Sequence, residues 1–168
     1  MKKKEASRVD DTKISKIVVS TGVGRMRQQN AQFDDKVLPE LISEFAAIVG
    51  QKPATREAKK SVAGFKVRQG EIVGLVATLR GKRKDDFFTK LSKVVLPRVR
   101  DFRGISESHM DVRGNLNIGF KDQAVFPEVN PELSKVTFGL EITFVTNAKN
   151  REEAAEFYRR NGIPLVIA

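Results

Sequence analysis

Gly50-Gln-Lys-Pro-Ala-Thr-Arg-Glu-Ala-Lys-Lys-Ser-Val-Ala-Gly-Phe-Lys-Val-Arg-Gln-Gly70 is the stretch that sets the two halves of this chain apart. It carries six cations, Lys52, Arg56, Lys59, Lys60, Lys66 and Arg68, against one acid, Glu57. Burying such a run would take unpaired cations out of water, at a large cost. Its apolar residues match neither a helical nor a strand period. The expectation is a long, exposed, basic loop, stiffened at its entry by Pro53 and held by ordered elements on either side. A single-sign cluster suits a polyanion, whereas ordinary solubility calls for mixed signs.

Working outward, the N-terminal flank offers a strand and a helix. Lys13 to Thr21 is rich in β-branched residues and reads as a strand ending at Gly22-Val-Gly24. The third glycine of a dinucleotide-binding turn would fall at Arg27, so that motif is rejected. The two glycines instead allow a sharp turn or close approach to another molecule. Arg25 to Gln32 reads as loop. Phe33, Val37, Leu38, Leu41, Ile42, Phe45, Ala46 and Val49 then recur at helical spacing, with the regular helix, or a kink, expected at Pro39 and the stop at Gly50.

On the other flank, Glu71 to Leu79 reads as a central strand, followed by the basic cluster Arg80 to Lys84. Phe87, Phe88, Leu91, Val94 and Val95 mark a second amphipathic helix, stopped at Leu96-Pro97. Asn115 to Lys121 reads as a half-buried strand, Gln123 to Pro131 as an irregular connection, and Lys135 to Thr146 as a long alternating strand. Asn150-Arg-Glu-Glu153 resembles a helix cap, and Gly162 with Pro164 closes that last helix. The order implies an α+β class, a mostly antiparallel sheet with helices packed on one face. Met1 to Thr12 is expected to be a flexible charged tail, and 13–168 a single RNA-binding domain.

Composition narrows the function. The chain has 168 residues, 40% of them hydrophobic, enough for one core without staples. There is no cysteine, which excludes disulfides, thiolate metal sites and cysteine catalysis. No apolar run reaches the length of a membrane span, and the N-terminus lacks a secretory apolar core. Glu5, Asp10 and Asp11 interrupt any mitochondrial presequence, so a cytoplasmic location is expected. Of the net charge of +10, residues 1–103 hold 24 Lys and Arg against 12 acids, and residues 104–168 hold 7 against 9. One basic flank beside a neutral one fits a protein lying on nucleic acid. A membrane surface would want a basic amphipathic helix, which is absent.

Catalysis lacks its parts. His109 is the only histidine, and it stands in a polar segment. The Asp85-Asp86 and Glu152-Glu153 pairs each open a helix, where they complement its dipole. No catalytic residue, metal site, cofactor or small-molecule substrate is therefore expected. Ala63-Gly-Phe-Lys-Val67 hints at a base-stacking surface but supplies one aromatic, while most of the eleven phenylalanines lie on core-facing stripes. Positioning through phosphates and 2′-hydroxyls of a folded RNA is the better expectation.

The fullest signal comes from longer blocks. Gly50-Gln-Lys-Pro53 and Lys60-Ser-Val-Ala-Gly-Phe-Lys-Val-Arg-Gln-Gly70 together resemble the signature of the bacterial large-subunit ribosomal protein L5 family. The resemblance continues through Thr78-Leu-Arg-Gly81, Pro97-Arg-Val-Arg-Asp-Phe-Arg-Gly104, Arg113-Gly-Asn115 and Phe126-Pro-Glu128, and covers about residues 13–160. It implies a non-enzymatic component of the central protuberance that carries 5S rRNA. Residues implied to face 5S rRNA are Lys13, Lys16, Ser20, Thr21, Gly22, Gly24, Gln51, Lys52, Thr55 and Arg56. Those implied to reach P-site tRNA are Lys59, Lys60, Ser61, Val62, Ala63, Gly64, Lys66 and Arg68. Further implied partners are 23S rRNA, neighbouring central-protuberance proteins and a small-subunit head protein. The resemblance has departures. Only about a dozen charged residues precede the first strand, Ser20 replaces a usual asparagine, and Val112 replaces a glycine, which leaves the 109–117 loop's conformation open. An extra-ribosomal RNA-binding or RNA-chaperone module is the alternative.

Overall fold

A computed structural model describes residues 12–132 and 134–166. The chain runs β1 (Ile14–Gly22), α1 (Gly24–Gln29), α2 (Leu38–Val49), β2 (Ala54–Glu57) and β3 (Ile72–Leu79). It continues through α3 (Lys82–Lys90), β4 (Ile105–Ser106), β5 (Leu116–Phe120), β6 (Leu140–Thr146), α4 (Arg151–Arg160) and β7 (Leu165–Val166). A five-stranded antiparallel sheet has the order β2-β3-β1-β6-β5, and β4 pairs in parallel with β7. The class is α+β, as the sequence implies. None of the described helices is long and apolar enough to cross a membrane.

The packing divides into two compact units. Among the described residues, one gathers 12–18, Thr78–Ile118 and 142–166; the other gathers Val19–Ala77 and Gly119–Glu141. In the first, Ile17, Leu79, Leu91, Val95, Leu116, Phe144 and Tyr158 are fully buried. Phe144 meets Phe88 and Tyr158 edge-on, with ring centres 5.6 and 6.3 Å apart. In the second, Val19, Leu41, Phe45, Ile48, Leu75 and Phe126 form the core, and Phe120 meets Phe126 at 5.6 Å.

Helix α2 follows its apolar stripe, with Leu38, Leu41, Phe45, Ile48 and Val49 buried. Pro39 is the second residue of α2 and follows directly on a π-helical turn over Phe33–Val37, closed by the Leu38 N–H on the Phe33 carbonyl. Gly50 closes it in the left-handed conformation, φ 72°. Asn150 caps α4 as expected, its side chain accepting from the Glu153 N–H at 2.9 Å.

Several boundaries depart from expectation. Arg25 to Gln32 is not all loop: α1 forms without a single buried residue, which is why no apolar period announced it. It is held from outside, by the bidentate Arg27–Asp34 pair at 2.6 and 2.8 Å and by Arg27 stacking on Phe33. The second amphipathic helix does not stop at Leu96-Pro97. α3 passes into a π-helical turn, Leu91–Val95, and a final turn, Leu96–Arg98, in whose first positions Pro97 is tolerated. Val94, assigned to its buried stripe, is 40% exposed because the wider π-helical turn rotates it outward.

The long strand predicted over Lys135 to Thr146 begins only at Leu140. The buried side chain of Gln123 supersedes the ladder there. Its amide donates to the Val136 carbonyl at 2.5 Å and to the Ser134 hydroxyl at 3.3 Å, and its carbonyl accepts from the Phe138 N–H at 2.9 Å. The predicted tail lies outside the described residues except for Thr12, which is buried and donates to the Glu153 carboxylate at 3.3 Å. Val112, where the glycine was expected, keeps a negative φ and is 86% exposed, so the loop tolerates it. The φ of +80° falls instead on Gly114.

Candidate nucleic-acid interface

The stretch 50–70 is exposed, as expected, but it is not simply a loop. Ala54–Glu57 forms an edge strand on β3, with Thr55 opposite Leu75 and Arg56 opposite Gly74. All four β2 residues face water, and no sequence period can reveal a strand whose sole order is its partner's ladder. Beyond it the chain folds back as an arm. Ala58 N–H donates to the Glu71 carbonyl at 2.8 Å, and Gly70 N–H to the Ala58 carbonyl at 3.0 Å. Ser61 accepts from the Gln69 N–H at 2.9 Å, and Glu71 accepts from the Arg68 N–H at 2.9 Å. Val62 and Val67 then pair across a tip whose short turn is Ala63–Phe65, with Lys66 in the left-handed region at φ 48°.

This scaffold spreads the cations apart. Lys52, Arg56, Lys59, Lys60, Lys66 and Arg68 are all exposed, and among the described residues none is ion-paired to an acid of this chain. Arg27 is the contrast, being taken up by Asp34 at 2.6 Å and Glu71 at 3.7 Å. A cluster of unmatched cations on a hydrogen-bonded frame loses little solvation when phosphates replace water, and releases counterions from the RNA.

The nominated residues divide by face. Along β1, Lys16 and Ser20 are half-buried and Gly22 exposed, while Ile17, Val19 and Thr21 alternate inward. Thr21 is only 6% exposed and its hydroxyl has no partner among the described residues, so its side chain is set apart from the other nominees. Lys13 is exposed, its N–H held by the Asn147 side chain at 2.7 Å. Gln51 is half-buried, and Lys52, Thr55 and Arg56 are exposed. Gly74 leaves the strip beside Arg56 bare: a Cβ there would lie 3.2 Å from the Thr21 carbonyl. Gly22 and Gly24 join β1 to α1 without a left-handed φ, and a Cβ at either would meet open space.

At the tip, Lys59, Lys60, Ser61, Val62, Ala63, Gly64, Lys66 and Arg68 are all exposed. Sequence reasoning weighed Phe65 as a single aromatic and did not nominate it. Phe65 is 70% exposed, unlike the core-facing phenylalanines around which the composition was read.

An α+β fold that carries an ordered arm of exposed cations suits a protein that lies on a polyanion. The sequence comparisons agree. Residues 9–68 match the family described as ribosomal protein L5, and residues 72–165 match the C-terminus of the same ribosomal family. The large ribosomal subunit protein uL5 of Macrococcus caseolyticus is 46% identical over 165 residues, covering 98% of this chain and 89% of that one. Those of Carboxydothermus hydrogenoformans and Halothermothrix orenii are 44% and 43% identical over 152 residues, covering 90% of this chain and 82% of each. The chain belongs to the ribosomal protein L5 family. It is a structural protein of the large ribosomal subunit rather than an enzyme.

Proposed function

We propose that this chain holds 5S rRNA in the central protuberance of the large subunit and reaches P-site tRNA with the tip of its basic arm. The observation that carries the reading is the set of six exposed cations, Lys52 to Arg68, that no acid among the described residues matches. The exposed face of β1, with Lys16, Ser20 and Gly22, and the start of the arm, with Gln51, Lys52, Thr55 and Arg56, supply the 5S rRNA contacts. Phosphate and 2′-hydroxyl contacts fix register there without reading base edges. The tip residues Lys59 to Arg68 serve the tRNA. In this setting 23S rRNA, neighbouring central-protuberance proteins and a small-subunit head protein complete the partners.

Filter binding of the purified protein to 5S rRNA across a salt series tests the proposal. Neutralising about five phosphates gives a log-affinity against log-salt slope of about −4. Salt-insensitive binding, or equal affinity for an unrelated RNA hairpin, contradicts it.

A further inference from the structure

We infer that the arm carries a seat for one unstacked nucleotide, built between α1 and the arm tip. The site is a groove of about 500 Å³ bounded by Gly24, Arg25 and Gln28 on α1 and by Lys60, Val62 and Phe65 on the arm. Its volume falls in the range of small-ligand clefts, about 300–1,000 Å³. Val67 and Val73 complete an apolar lining, which a monomeric protein gains nothing by leaving open to water. The groove is a built feature, because the Gln28 side-chain amide donates to the Phe65 backbone carbonyl and ties the helix to the tip.

The rim chooses the occupant. Arg25 and Lys60 stand at the edge of the groove, both exposed, with Lys66 and Arg68 next to it along the chain. An apolar peptide helix would leave these cations facing nothing, whereas a nucleotide brings an apolar, polarisable base and an anionic phosphate together. The base lies on the Phe65 ring, which is 70% exposed, and the phosphate meets the rim. A single aromatic carries no base code, so the seat accepts any base; this agrees with the lack of a sequence-reading surface. The inference rests on the RNA-binding reading of the arm and adds a mode of contact that phosphate recognition alone does not require.

The test uses the full chain and two fluorescein-labelled probes, a single-stranded 12-nucleotide oligoadenylate and a 12-base-pair RNA duplex. Phe65→Ala is expected to weaken single-strand binding roughly five- to a hundredfold, with the salt slope and the duplex affinity unchanged. Phe65→Tyr is expected to keep single-strand affinity and Phe65→Leu to lose most of it. Lys60→Glu is expected to weaken both probes and flatten both slopes. If Phe65→Ala changes neither probe, or both equally, or if Phe65→Leu binds as Phe65→Tyr does, the seat is refuted while the RNA-binding reading stands. Failure of the unaltered protein to bind the oligoadenylate also refutes the seat, whereas the RNA-binding reading falls only if 5S rRNA fails to bind in the filter assay.

Discussion

Val62 and Val67 exchange both backbone hydrogen bonds, at 2.9 and 3.3 Å, and so turn the end of the basic arm into a closed tip. The frame is main chain, and the cations hang from it as side chains. Charge can therefore be altered without touching what orders the arm.

The first prediction follows. Replacing Lys59, Lys60, Lys66 and Arg68 together by Glu leaves the fold intact, since exposed substitutions usually shift stability by less than about 0.5 kcal/mol each. Circular dichroism and urea midpoints check this. The same variant is expected to lose most of its tRNA affinity and about 3 units of the salt slope measured with tRNA, one cation per phosphate, while 5S rRNA binding through Lys16, Lys52 and Arg56 persists. A collapsed spectrum would show the tip is packed.

Gly114 and Ala154 provide a stability test. A Cβ at Gly114 would fall 2.3 Å from the Ala154 Cβ, and its φ is +80°. Gly114→Ala is expected to destabilise by about 1–3 kcal/mol through overpacking, with strain from the left-handed backbone in addition. Ala154→Gly costs about 1 kcal/mol by itself inside α4, so the double variant should lose less in a urea titration than the two single losses added together. Simple additivity would mean the clash is relieved some other way.

Gln123 should behave as core although it is polar. Replacing it by Leu strands the Phe138 N–H, at about 1–3 kcal/mol for a buried group left without a partner, while the Val136 carbonyl keeps the Ser134 hydroxyl at 2.8 Å. Hydrogen exchange at the Phe138 amide should rise with the loss of stability. An unchanged urea midpoint would show that water replaces the side chain freely.

Strong acid should weaken the 109–117 loop. At Asp111 slight burial pushes the carboxyl up, but N–H donors of Asn115 and Arg113, the Asn115 amide and the Arg113 charge outweigh it, so the carboxyl sits below its ordinary 3.8. A depressed folded value means the stabilisation is present above about pH 4 and is lost as pH falls through the folded value. The stability gap between the unaltered protein and Asp111→Asn should narrow over that acid range. The gap should be small, since the carboxyl is mostly solvated. A gap that widens on acidification would contradict the assignment.

What the sequence disclosed tracks what side chains alone decide. The α2 stripe from Leu38 to Val49, the Gly50 stop and the Asn150 cap are local chemistry and were readable. The β2 strand was not, because Ala54–Glu57 is ordered by β3 and shows water all four side chains. Helix α1 was hidden for the same reason, having no buried residue. The early end of the Lys135 to Thr146 strand depends on one side chain, Gln123, whose alternation-breaking role lies twelve or more residues away in sequence. The two-residue β4 and β7 pairing is too short to leave a pattern. For the interface, the cations were legible as a charge cluster, whereas the inward turn of Thr21 and the exposure of Phe65 required the ladder and the tip to be seen.

The most direct measurement is a cross-linking map of the protein on 5S rRNA and on the ribosome with P-site tRNA bound. The account predicts cross-links to 5S rRNA at Lys16, Lys52 and Arg56, and to tRNA at Lys59, Lys60, Lys66 and Arg68. Cross-links confined to residues 104–168, with the basic arm silent, would contradict it.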